Sequence, residues 1–181
     1  DCVLDYRGER MTFWLLDKNP VQSANRLCWL DCESAAFDGA RIIVSAFEEQ
    51  GQDIEGIGVE PMKKHPLVRW AVVSADNARW LYRYTLAATI KWGKEHKMKD
   101  YQDMLKSLSE VACRIDKMLP HRQLTLFGNF YLDDKAVCFW PTTARKLTIE
   151  DIESNRAYYE RTREHLMWAD HNPKLYGGEE E

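Results

Sequence analysis

The spacing of hydrophobic positions changes several times along the chain, and each change marks an element. Thr12-Phe13-Trp14-Leu15-Leu16 is an unbroken apolar run closed by Asp17-Lys18-Asn19-Pro20, the pattern of one short buried strand ending in a turn. Pro20 suits the first turn of a helix, where its fixed φ is already helical and its missing N–H has no partner to lose; Asn19 or Asp17 can cap that turn. A helix is predicted from there to about Glu49, with Leu27, Leu30, Ala35, Ile42, Val44 and Phe47 as its apolar stripe and Gly39 as a weak point. Residues 50–64 hold three glycines and a proline without helical period, the composition of a mobile loop.

Pro66 opens a second helical stretch through Val68, Trp70, Ala71 and Val72. Ser74 then offers a cap for a longer helix through Trp80, Leu81, Tyr84, Leu86 and Ile90, which Gly93 is expected to stop. Between Asp100 and Leu119, the residues Tyr101, Met104, Leu105, Leu108, Val111, Ala112 and Ile115 recur at three-and-four spacing. They predict an amphipathic helix that Pro120 ends. Leu124–Leu132 and Ala136–Trp140 have the composition of short strands or extended loop. Thr148-Ile149-Glu150-Asp151 is a capping-box pattern for a last helix to about Trp168. The predicted fold is mainly α: a single-domain helical bundle with a short N-terminal strand and a small β-hairpin near 124–140.

A chain of 181 residues, 45% apolar and 30% charged, can bury about 70% of its unfolded surface and needs no metal or disulfide to fold. No repeat or linker divides it, so one domain is expected over residues 11–176, followed by an acidic tail at 177–181. Residues 1–10 precede the first methionine, Met11, and are read as a leader or appended sequence. A formal net charge of −4 gives no global positive field, so nucleic-acid binding would have to be local. No apolar run approaches the roughly 18 residues of a membrane span, and the N-terminus lacks the apolar core of a signal peptide. A cytoplasmic protein with no membrane partner is expected. Five cysteines without framework spacing fit reduced thiols.

Cys28 and Cys32 lie four apart and could supply half of a thiolate site. No other ligand stands at a matching spacing, so both are read as core residues, with no metal and no cofactor expected. Lys91-Trp92-Gly93-Lys94-Glu95-His96-Lys97-Met98-Lys99 gathers four lysines and a histidine near Tyr82, Tyr84 and Trp92. Cations beside aromatics can hold phosphate and stack bases; equally, they can complement the negative end of a helix. His65 lies just before a helix start, where anions are welcome, and is a candidate acid, base or phosphate ligand whose structural alternative is a plain hydrogen-bonding role. Asp17, at a strand-to-helix turn, is either a site carboxylate or a cap. No phosphate loop, Gly-x-Ser-x-Gly elbow or His-Glu-x-x-His helix occurs.

Several of these pieces together resemble a family of small proteins from tailed bacteriophages that is sometimes labelled pyrimidine-dimer DNA glycosylase-like. Trp14-Leu15-Leu16-Asp17-Lys18-Asn19-Pro20 is similar to the family's opening Tyr-Leu-Asp-Lys-Asp-Pro. His65-Pro66 with Trp70, Ser74, Asn77, Trp80 and Leu81 follows it, and then Gly93-Lys94-Glu95-His96-Lys97. Asn155-Arg156-Ala157-Tyr158-Tyr159, with Trp168 and Pro173, resembles the family's Tyr-Arg-x-Tyr-Tyr and tryptophan ending. The likeness spans most of residues 11–176. Where the family runs His-Cys-Asp-Lys-His, this chain reads Leu27-Cys28-Trp29-Leu30-Asp31 and keeps only the cysteine, and a following lysine position is Ser34.

The resemblance implies a divergent, phage-encoded protein of the host cytoplasm that binds or acts on DNA or nucleotides with lost or altered catalysis, a pseudoenzyme. Asp17 and His65 would be its remaining catalytic candidates, and Lys94, His96, Lys97 and Arg156 its phosphate contacts. Whether it is an enzyme stays open; a glycosylase with a lysine or amine nucleophile is a further reading. The alternative is a non-catalytic interaction module that engages another phage or host protein through Trp29 and Leu30 of the altered first helix.

Overall fold

The computed structural model describes residues 13–96, 100–132, 135–139 and 148–170. Its elements are α1 (Pro20–Asn25), α2 (Trp29–Glu49), α3 (Pro66–Ala71), α4 (Ala75–His96), α5 (Tyr101–Met118), β1 (Gly128–Leu132), β2 (Lys135–Phe139) and α6 (Ile149–Asp170). β1 and β2 form an antiparallel hairpin with Gly128 opposite Phe139 and Leu132 opposite Lys135. The fold is mainly α, as the periodicities predict.

Phe13, Trp14, Leu15 and Leu16 are all fully buried, which explains why their run does not alternate: it has no solvent face. The strand expected there is nevertheless not formed, because no other strand among the described residues pairs with it. Side chains take the place of a neighbour. The Tyr84 hydroxyl accepts from the Trp14 N–H at 3.1 Å. The Ser23 hydroxyl accepts from the Leu16 N–H and donates to the Trp14 carbonyl, both at 2.9 Å. Asn155 donates to the Leu15 carbonyl at 3.4 Å, and Arg156 donates to the Leu16 carbonyl from Nε at 3.2 Å and Nη2 at 2.9 Å. An apolar run reports burial; it does not say which groups will satisfy the backbone.

The first long helix is broken. Asn19 caps α1 by accepting from the Val21 and Gln22 N–H groups, while Asp17 accepts from the Asn19 N–H at 3.0 Å, so both expected caps act in series. The chain then unwinds at Arg26–Cys28. Unbroken to Glu49, the helix would be about 45 Å long, against a globule roughly 40 Å across. The backbone groups freed by the break find partners: Lys91 donates to the carbonyls of Asn25 and Leu27, and the Cys28 N–H donates to the Tyr159 hydroxyl at 2.8 Å.

Two glycines read as weak points or stops are close-contact positions. A Cβ at Gly39 would lie 1.9 Å from the Thr85 hydroxyl oxygen, so this glycine lets α2 lie directly on α4. A Cβ at Gly93 would lie 2.2 Å from the Tyr101 ring, and α4 runs through it to His96 instead of stopping. The loop after α2 takes left-handed backbone at Gly51, Gly56 and Gly58. It is fastened by the buried Ile57 and by the Met62 N–H, which donates to Ser45 Oγ at 2.6 Å.

Ser74 caps α4 through the Asn77 N–H at 3.0 Å. Asn77, fully buried, donates to the Trp70 carbonyl at 2.8 Å and accepts from the Thr125 N–H at 2.9 Å, while the Trp70 indole donates to the Thr125 carbonyl. These bonds hold the segment after α5 against α3 and α4. α5 has its predicted bounds within one residue and buries Leu108, Val111 and Ile115. Thr148 and Asp151 form the predicted reciprocal box at the start of α6: the Asp151 N–H donates to Thr148 Oγ1 and the Thr148 N–H to Asp151 Oδ2.

Candidate functional site

The predicted site residues fall into three places. Asp17 and Arg156 meet, with Nη2 3.5 Å from Oδ2. Arg156 already spends Nε and Nη2 on the Leu16 carbonyl, and the pair fastens α6 to the end of the buried segment. His65 lies apart from them. It is the N-cap of α3, with Nδ1 accepting from the Leu67 N–H at 3.2 Å and its ring set edge-on to Phe13 at 5.3 Å. Burial pushes its pKa down to about 4, so at neutral pH it is an uncharged cap, unsuited to gripping phosphate. No contact joins His65 to Asp17 among the described residues. The four-residue interval from Phe13 to Asp17 covers about 13 Å if extended.

Lys94 occupies the third place, a groove of about 420 Å³ between α1 and α4. Val21, Leu86, Ala87 and Ile90 give it an apolar lining; Arg83, Lys91 and Lys94 give it cations. Lys91 is engaged with the carbonyls of Asn25, at the end of α1, and Leu27, in the break that follows. Arg83 and Lys94 are exposed and make no ion pair among the described residues. Lys94, in the last turn of α4, could simply complement the helix end; Arg83, near the helix middle, has no terminal carbonyls to complement. The side chain of His96 and the whole of Lys97 lie outside the described residues, as do residues 1–12, Pro173 and the acidic tail.

A buried polar cluster forms around Cys28 and Asp31 at the start of α2. Asp31, 1% exposed, accepts at Oδ2 from the Tyr159 hydroxyl at 2.8 Å, Arg163 Nε at 3.0 Å and the Cys28 thiol at 3.4 Å. The Arg163 guanidinium also lies 5.5 Å from the Trp14 ring centre. Burial, then the Asp31 charge, pushes the Cys28 thiol pKa up, and the same two causes in that order raise Tyr159. For Arg163 burial alone would lower the pKa, but the hydrogen bond and charge of Asp31 outweigh it and the net shift is upward. The cluster is thus an ion pair with two protonated neighbours. Cys28 and Cys32 are both buried, as expected of core thiols. No group of three or more His, Cys, Asp or Glu able to hold a metal occurs among the described residues, and no described helix is long and apolar enough to cross a membrane.

Sequence reasoning missed Arg83 and Arg163, and named Tyr159 only within the segment that carries the resemblance. Arg83 could have been found by following the α4 stripe back eleven residues from Lys94, and Arg163 as the residue one helical turn beyond Tyr159. That Tyr159 and Arg163 meet Asp31 across two elements has no signature in the sequence. Comparison with family models, with curated proteins and with solved structures finds no match for this chain.

Proposed function

We propose that the protein binds a phosphate-bearing ligand, a nucleotide or nucleic acid, in the α1–α4 groove, with Lys94 and Arg83 contacting phosphate and without catalysis by Asp17 and His65. The observation that carries this reading is the pair of exposed cations, in no ion pair among the described residues, flanking an apolar lining on one face of α4. It accords with the resemblance to the phage family, on which the protein would be phage-encoded and act in the host cytoplasm. The test is fluorescence anisotropy with a labelled oligonucleotide at low and moderate salt. Binding is expected to weaken as salt rises, because phosphate contacts release counterions, and Lys94→Gln should weaken it several-fold at low salt. Absence of binding at low salt would overturn the proposal.

A second reading, the interaction module, draws on a different surface. Phe37 on α2 is 47% exposed and lies edge-on to Trp92 at 5.2 Å, while Trp29 and Leu30 are half-buried at the start of the same helix. Partner recovery by co-purification should fall in Trp29→Ala or Phe37→Ser; recovery unchanged by both would exclude that surface.

A further inference from the structure

We infer that the ligand of the α1–α4 groove is a single strand of nucleic acid several nucleotides long; this rests on the phosphate-binding reading and narrows it. Arg83, Leu86, Ala87, Ile90 and Lys94 recur at three-and-four spacing on α4, so they form one stripe of three turns, about 16 Å long. The stripe begins with a cation, ends with a cation and is apolar between them. A mononucleotide carries its charge at one end, so it leaves one of the two cations without a partner. A strand carries charge at every step, and 16 Å is about five steps at the 3.4 Å rise of a stacked strand, fewer when the bases are splayed apart.

The apolar middle of the stripe separates single strand from duplex. In a duplex the base faces are buried in their own stack, and the outer surface offers phosphate and sugar, which gain nothing against Leu86 and Ile90. An unpaired base offers a flat apolar face whose burial is favourable. The lining is aliphatic, so this contact is burial without stacking on a ring, and it discriminates weakly among bases. Lys91 is already engaged by the carbonyls of Asn25 and Leu27, which leaves two cations for phosphate. Two contacts to a single strand set a log–log salt slope of about −1.4.

The test is competition against a labelled thymidine six-mer, using thymidylate, thymidine oligomers of two and four nucleotides, a uridine six-mer and a blunt duplex as competitors. Affinity is expected to rise at least about tenfold from the mononucleotide to the four-mer and then level off, with the duplex weaker than the six-mer by a similar factor. The slope should fall from about −1.4 to about −0.7 in either Arg83→Gln or Lys94→Gln. Both side chains are exposed, so the variants keep the fold, which circular dichroism checks. The uridine arm reads whether the sugar matters, and tight binding of either six-mer supports the single strand. Thymidylate or duplex competing as well as the six-mer overturns this inference while leaving phosphate binding intact. No binding by any probe, wild type and variants alike, overturns both.

Discussion

His65 and Gly39 show single residues whose surroundings set their role. Above pH 6.5 the imidazole is neutral in folded and unfolded chains alike and stability is unaffected. Below it the unfolded chain takes up a proton that the folded chain, with a pKa of about 4, refuses. Stability is therefore expected to fall by about 3 kcal/mol between pH 6.5 and pH 4 from this residue. His65→Asn keeps a capping acceptor at the N-terminus of α3 and should flatten the slope between pH 6.5 and 5, read from urea denaturation at each pH. At Gly39 the neighbour is the body of Thr85, with atoms at 1.9, 2.5 and 2.7 Å from a built Cβ. Gly39→Ala is expected to destabilise by about 1–3 kcal/mol by forcing α2 off α4, although alanine is the better helix former. A gain in melting temperature would contradict the contact.

Between elements, the joint of α2 with α6 concentrates its polar energy in Asp31 and Arg163. Asp31→Asn leaves a largely buried guanidinium without its counter-charge and should cost about 3–5 kcal/mol. Replacing both residues by leucine and methionine should recover part of that loss in the same denaturation experiment, the remainder being the Tyr159 hydroxyl left without its acceptor. The helices themselves were legible beforehand, because amphipathic spacing reports which face is buried: α5 was predicted within a residue at each end, and the Thr148–Asp151 box marked the start of α6. What escaped the sequence was pairing at a distance. Nothing in Phe13–Leu16 says that Tyr84, Ser23, Asn155 and Arg156 will stand in for a neighbouring strand. Nor does Leu27–Asp31 disclose the break that lets Lys91 and Tyr159 reach the backbone. His65, Ser74, Asn77, Trp70, Asn155 and Arg156 all bond backbone groups of irregular or helix-end segments, a role that their spacing in the sequence does not disclose. Of the candidate site, Lys94 was legible; Arg83, with no motif around it, was not.

At the scale of the whole molecule, the buried N-terminal segment ties the ends of the described chain together: Asn155 and Arg156 reach back 140 residues to Leu15 and Leu16. A chain ending before Ile149 is expected to lose cooperative unfolding and to leave Trp14 in water, visible as a red-shifted tryptophan emission. Retention of a sharp transition would show that α6 is dispensable. Synthesis order gives this arrangement a cost. At about 5–20 residues per second, the ribosome releases Phe13-Trp14-Leu15-Leu16 roughly 7–30 s before Arg156 is made. For that interval four large greasy side chains have Ser23 and Tyr84 beside them but lack the cover of α6, so nascent chains should engage a holding chaperone early and let go only once α6 has emerged.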